Sequence, residues 1–91
     1  MNKLEEKLIE LGYNKCYYDN FTKQTTYYKN NEYLEITIVV NWNAYGNKIV
    51  RSGVEYWTKM FSTQQQIDDL QKAFNQLQKD LEVLKEYEEN N

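Results

Sequence analysis

Apolar positions along this chain fall into two periods, and the change of period locates the elements. Ile67, Leu70, Phe74, Leu77, Leu81 and Leu84 recur at alternating spacings of three and four. On a helix that heptad spacing forms one narrow stripe. Between Tyr33 and Trp42 the period is two: Leu34, Ile36, Ile38, Val40 and Trp42 alternate with Tyr33, Glu35, Thr37, Val39 and Asn41. This is the pattern of a strand with one face on a core and the other toward solvent. The helical stripe and the apolar sheet face each need a cover, and each can cover the other.

The remaining elements follow in order. Leu4, Leu8 and Leu11 share a helical face with Ile9 at its edge. Asn2 is placed to cap that helix, with Glu5 at the capping-box position, and Gly12 to end it. Tyr13 to Lys29 is rich in aromatic and β-branched residues and reads as two strands. Asp19-Asn20 supplies turn chemistry for the loop between them, around residues 19–23, and Asn30-Asn31 makes the next turn. Lys48 to Thr58 returns as the partner of Tyr33–Trp42 across a hairpin loop in which Gly46 takes positive φ, and Gly53 suggests a bulge or a place where another group comes close. Ser62 with Gln65, or Thr63 with Gln66, opens the long helix.

The expected fold is therefore α+β: an antiparallel four-stranded meander with a short N-terminal and a long C-terminal helix on one face. It forms a single domain over residues 1–91. The heptad stripe is expected to lie on the chain's own sheet. Ala73 widens its apolar face, and the flanking positions lack the Glu/Lys pairs that specify coiled-coil partners. The alternative is a seam between two chains.

Composition narrows the function classes. There is no histidine and only Cys16 as a thiol, so a disulfide framework, a thiolate metal cluster and the usual neutral-pH acid–base pair are all excluded. Cys16, in a strand pattern, reads as a small core residue. There is no glycine-rich phosphate loop, nucleophile elbow or metal-ligand spacing. Asp68 and Asp69 are adjacent on a helix and diverge by about 100°. No catalytic residue, metal or cofactor is expected, and the chain reads as non-enzymatic. No apolar run approaches the roughly 20 residues of a membrane span, and MNKLEEKLIEL alternates charge with Leu and Ile, unlike a signal peptide. A cytoplasmic setting is expected. Abundant Asn, Lys and Tyr without proline follow AT-rich codons, as in low-GC bacteria and their phages.

The candidate chemistry lies on the surface. Nine tyrosines and two tryptophans sit mostly between residues 13 and 57. Neighbours in a strand point to opposite faces, so Tyr17-Tyr18, Tyr27-Tyr28 and Tyr56-Trp57 each turn one ring away from the helices. Tyr17, Tyr27, Tyr33 and Trp57 are the candidate anchors of a partner-binding surface. Residues 63–91 hold seven acids against Lys72, Lys79 and Lys85. Asp80, Glu82 and Glu86 are the candidate polar contacts to a partner protein with a basic surface. Two alternatives stand beside this reading. The same aromatics with Lys15, Lys29 and Arg51 could stack single-stranded nucleic acid, or the heptad helix could drive self-assembly.

Short, acidic and rich in Asn, Lys and Tyr, the chain resembles the small orphan proteins of phages and mobile elements in low-GC bacteria, of which the anti-CRISPR proteins are examples. The resemblance implies a non-catalytic inhibitor that occupies the basic surface of a host nucleic-acid-handling or defence protein; the chain itself is expected to be a monomer or homodimer. A net charge of −3 is low for a nucleic-acid mimic, so aromatic contacts would share in the affinity.

Overall fold

Six elements follow the two periods in a computed structural model, which describes residues 2–30, 34–43, 46–56 and 62–88. They are α1 (Lys3–Glu10), β1 (Asn14–Asp19), β2 (Gln24–Asn30), β3 (Leu34–Asn43), β4 (Gly46–Tyr56) and α2 (Thr63–Lys85). The strands form one antiparallel sheet in the order β1-β2-β3-β4. The architecture is the expected α+β meander.

Local chemistry fixes the ends of the elements. Asn2 Oδ1 accepts the Glu5 N–H at 2.8 Å, and Ser62 Oγ accepts the Gln65 N–H at 3.2 Å; each satisfies one orphan donor of a first helical turn. The reciprocal half of the first capping box does not form, because the Glu5 carboxylate turns to the Tyr27 hydroxyl and to Lys15 Nζ, 3.5 Å away. Gly12 (φ +98°) ends α1, letting the Tyr13 N–H return to the Leu8 carbonyl at 3.0 Å. Gly46 (φ +133°) serves the β3–β4 hairpin.

Strand register separates the two faces of the sheet. Thr25 and Tyr27 of β2 pair with Val40 and Ile38 of β3. Together with Leu34 and Ile36 they face Leu4 and Leu8 of α1 and Ala73, Leu77 and Leu84 of α2, which makes one buried core. The opposite face carries rows such as Tyr17–Thr26–Val39–Arg51 and Asn14–Tyr28–Thr37–Gly53. Val39 is buried even there, outside the main core.

Three sequence-based expectations are corrected. The buried stripe of α2 is Ala73, Leu77, Asp80 and Leu84. It is rotated from the heptad seam, so Leu77 and Leu84 pack inward while Ile67 and Phe74 stay 52% and 51% exposed. Cys16 is exposed rather than in the core, because the register slips between Lys15 and Tyr17 and leaves it as the extra residue of a bulge. The bulge in β4 falls at Val50, between the Arg51–Val39 and Ile49–Val40 pairs, while Gly53 keeps register with Thr37.

Candidate functional site

The turn between β1 and β2 is built by short-range polar contacts. Asp19 Oδ1 accepts the N–H groups of Phe21 (2.9 Å) and Thr22 (3.4 Å), the Asx-turn pattern. Lys23 closes the turn at φ +59°, a left-handed conformation that a non-glycine residue holds only under local constraint. The constraint comes from β3. The Trp42 N–H donates to the Lys23 carbonyl at 2.8 Å, and Asn41 Nδ2 donates to the Thr22 carbonyl at 3.1 Å. Trp42 Nε1 donates to Thr25 Oγ1 at 2.7 Å just behind them.

This anchored turn presents apolar surface. The Phe21 side chain is 100% exposed, with Tyr17 at 62% and Tyr18 at 44% behind it. Tyr17 pairs with Thr26 and belongs to the face away from the helices, whereas Tyr18 pairs with Thr25 and belongs to the other. Tyr28, one row along from Tyr17, is half-buried on the open face.

The predicted site residues separate. Tyr17 lies on the surface as expected. Tyr27 does not: it is 0% exposed, its ring among Leu4, Leu8 and Ile38 and its hydroxyl on the Glu5 carboxylate. Tyr28 is the outward member of that pair. Burial and the neighbouring carboxylate push the Tyr27 phenol well above its ordinary pKa. Tyr33 and Trp57 lie outside the described residues.

Asp80 is likewise interior, at 3% exposure. Its carboxylate accepts from the Tyr13 hydroxyl (2.8 Å), Lys29 Nζ (2.8 Å) and Gln76 Nε2 (2.9 Å). Lys29 also donates to the Leu11 carbonyl at 3.1 Å and lies 4.5 Å from the centre of the Tyr13 ring. Burial, followed by the hydrogen bond to Asp80, raises the Tyr13 pKa far above normal. This network joins α1, β2 and α2, and its atoms are already satisfied. Glu82 and Glu86 are exposed on the far side of α2, so they do not form one group with Asp80.

Inward-turned carboxylates also change the charge picture. Among the described residues of α2 and its end, Asp80 faces Lys29, Asp69 accepts from the Tyr56 hydroxyl at 3.2 Å, and Glu88 accepts the Ile49 N–H at 2.8 Å. Asp68, Glu82 and Glu86 are exposed on its outer face together with Lys72, Lys79 and Lys85. Asp69 and Glu88 meet neutral donors and keep their charge, so the acidic excess of the helix stands, partly turned toward the sheet. Of the cations named with the nucleic-acid alternative, Lys29 is paired with Asp80 and Lys15 with Glu5.

Phe21 and Tyr18 are the surface aromatics that sequence reasoning passed over. The available signal was a phenylalanine directly after Asp19-Asn20, inside a loop, where the core cannot use its ring. A groove of about 530 Å³ lies between α2 and the sheet, lined in part by Lys29, Leu34, Ile36 and Asp69. Its Lys29 and Asp69 groups are already engaged with Asp80 and Tyr56. Among the described residues no three Cys, Asp or Glu side chains converge as metal ligands would, and no helix is long and apolar enough to cross a membrane. No family model, curated protein or solved structure matches this chain.

Proposed function

We propose that the protein is a non-catalytic binding module that docks on another protein through the β1–β2 turn. Phe21 enters an apolar pocket of the partner, and Tyr17 and Tyr18 contact its rim. The observation that carries this reading is a wholly exposed phenylalanine on a turn anchored to β3. Burying such a side chain yields about 1.5–3 kcal/mol, and an ordered turn adds little conformational cost on binding. Aromatic anchors of this kind dominate many interfaces. The module acts by occupancy, as an inhibitor or adaptor, and the proposed partner class is a nucleic-acid-handling or defence protein of a bacterial cell.

Affinity capture from a low-GC bacterial lysate tests the reading, with the intact protein and Phe21→Ala run side by side, with and without nuclease. The expected result is one protein that survives nuclease on the intact bait and is lost from the variant. Capture that Phe21→Ala leaves unchanged would remove the turn as the binding site. Capture abolished by nuclease would instead favour nucleic acid on the open face, where Tyr17 and Arg51 share a row.

A further inference from the structure

The outer edge of β4 carries an arrangement that the rest of the fold does not use. β4 is a terminal strand of the sheet. Near its start the Glu88 carboxylate takes the Ile49 N–H, so the end of α2 covers that part of the strand. The stretch from Arg51 to Tyr56 has no further strand beside it among the described residues.

On the open face of this stretch the charges are mismatched. Glu35 and Glu55 stand directly opposite each other across β3 and β4, and like charges so placed repel. Two residues before the intervening glycine, Arg51 is exposed opposite the apolar Val39. Neither Arg51 nor Glu55 has an ion-pair partner among the described residues. Between them a Cβ on Gly53 would meet only open space. A shallow depression of about 340 Å³ lies there, bordered by Thr37, Arg51, Gly53 and Glu55.

We propose that β4 pairs with β4 of a second copy of this chain, antiparallel, about a two-fold axis at Gly53. In that register Arg51 of each chain stands opposite Glu55 of the other, and Gly53 meets its own copy without a side chain in the way. Each guanidinium then enters the field of the Glu35–Glu55 pair that lacks a cation. A single sheet runs through both copies.

The helix face agrees with this operator. α2 runs antiparallel to β4, with Asp69 at Tyr56 and Glu88 at Ile49. Its Ala73–Asp80 flank is turned toward Lys29 and Tyr13. The opposite flank carries half-exposed Ile67 and Phe74. The two-fold brings the two α2 helices side by side with these residues facing. The heptad seam is thus divided: Leu77 and Leu84 pack within the chain, while Ile67 and Phe74 serve the second copy.

Sedimentation over a concentration series reaching millimolar protein tests the proposal, using the intact chain, Arg51→Glu and Glu55→Arg. The intact chain is expected to show a monomer–dimer equilibrium that weakens with salt. Each reversal turns two symmetric attractions into repulsions and should raise the dissociation constant on the order of tenfold or more. Mixed together, the two variants should form a heterodimer, because each supplies the charge that the other lacks. An intact chain that stays monomeric throughout, variants that dimerise as well as it does, or a mixture that fails to associate would each overturn the proposal.

Discussion

Two groups of aromatic residues, a few positions apart in sequence, have opposite fates in this fold. Tyr13 and Tyr27 are buried and give their hydroxyls to carboxylates carried by the helices, Asp80 and Glu5. Tyr17, Tyr18 and Phe21 are exposed, on β1 and the turn that follows it. Residue type does not distinguish the groups, since both contain tyrosines on strands. A carboxylate from another element does: a buried hydroxyl needs a partner, and only the first group is supplied with one. The inner group holds the elements together, and the outer group offers apolar area that the fold leaves uncovered.

The largest effect should come from removing the acceptor. Asp80→Ala leaves the Lys29 ammonium without its counter-charge and the Tyr13 hydroxyl without its acceptor. Breaking a buried pair from one side costs about 3–5 kcal/mol, readable as a lower urea midpoint. A loss under about 1 kcal/mol, the range of an exposed pair, would show that the network does not join the elements.

Alkaline pH should separate the two groups next. The Tyr13 and Tyr27 phenols are raised above their ordinary value of 10.0 in the folded chain, so above that pH the unfolded chain loses protons that the folded one keeps. Stability is then fully present below pH 10 and falls as pH rises, by about 1 kcal/mol from each tyrosine between pH 10 and pH 11. Urea midpoints across this range should show the loss, and Tyr13→Phe or Tyr27→Phe should halve the slope. An unchanged slope in both variants would place the titration elsewhere.

The smallest stability effect belongs to the outer group. Phe21→Ala should shift stability by no more than about 0.5 kcal/mol, as at an ordinary surface position, while abolishing partner capture. A large stability loss would mean that the ring packs against the fold and is no docking anchor.

Much of the frame was legible because hydrophobic period and cap chemistry are local. The two periods placed β3 and α2; Asn2, Ser62, Gly12 and Gly46 marked ends and turns. Alternation also required one ring of each adjacent pair to face away from the helices. It could not say which, because a single extra residue reverses the phase. The bulge at Cys16 does this in β1, leaving Lys15 on the helix side, against Glu5, and Tyr17 on the open side. Asp80 was illegible for a related reason. On the edge of an apolar stripe an acid reads as solvated unless the cation opposite is known, and Lys29 lies 51 positions away. Tyr27 was misplaced because pairing with Ile38, rather than any feature of its own neighbourhood, decides its face.

The hydrogen bond between Tyr13 and Asp80 spans 67 positions, and it carries a consequence for how the chain reaches its fold. The meander is made of consecutive hairpins, whose contacts close short loops and can form early. Its cover cannot. Asp80 and Leu84, which α1 and the sheet both need, leave a ribosome only after all four strands have done so. Until then Ile36, Ile38 and Val40 line an uncovered apolar face, the kind of surface through which nascent chains aggregate. Slowing synthesis upstream of α2 should therefore lower soluble yield even though the finished protein is unchanged.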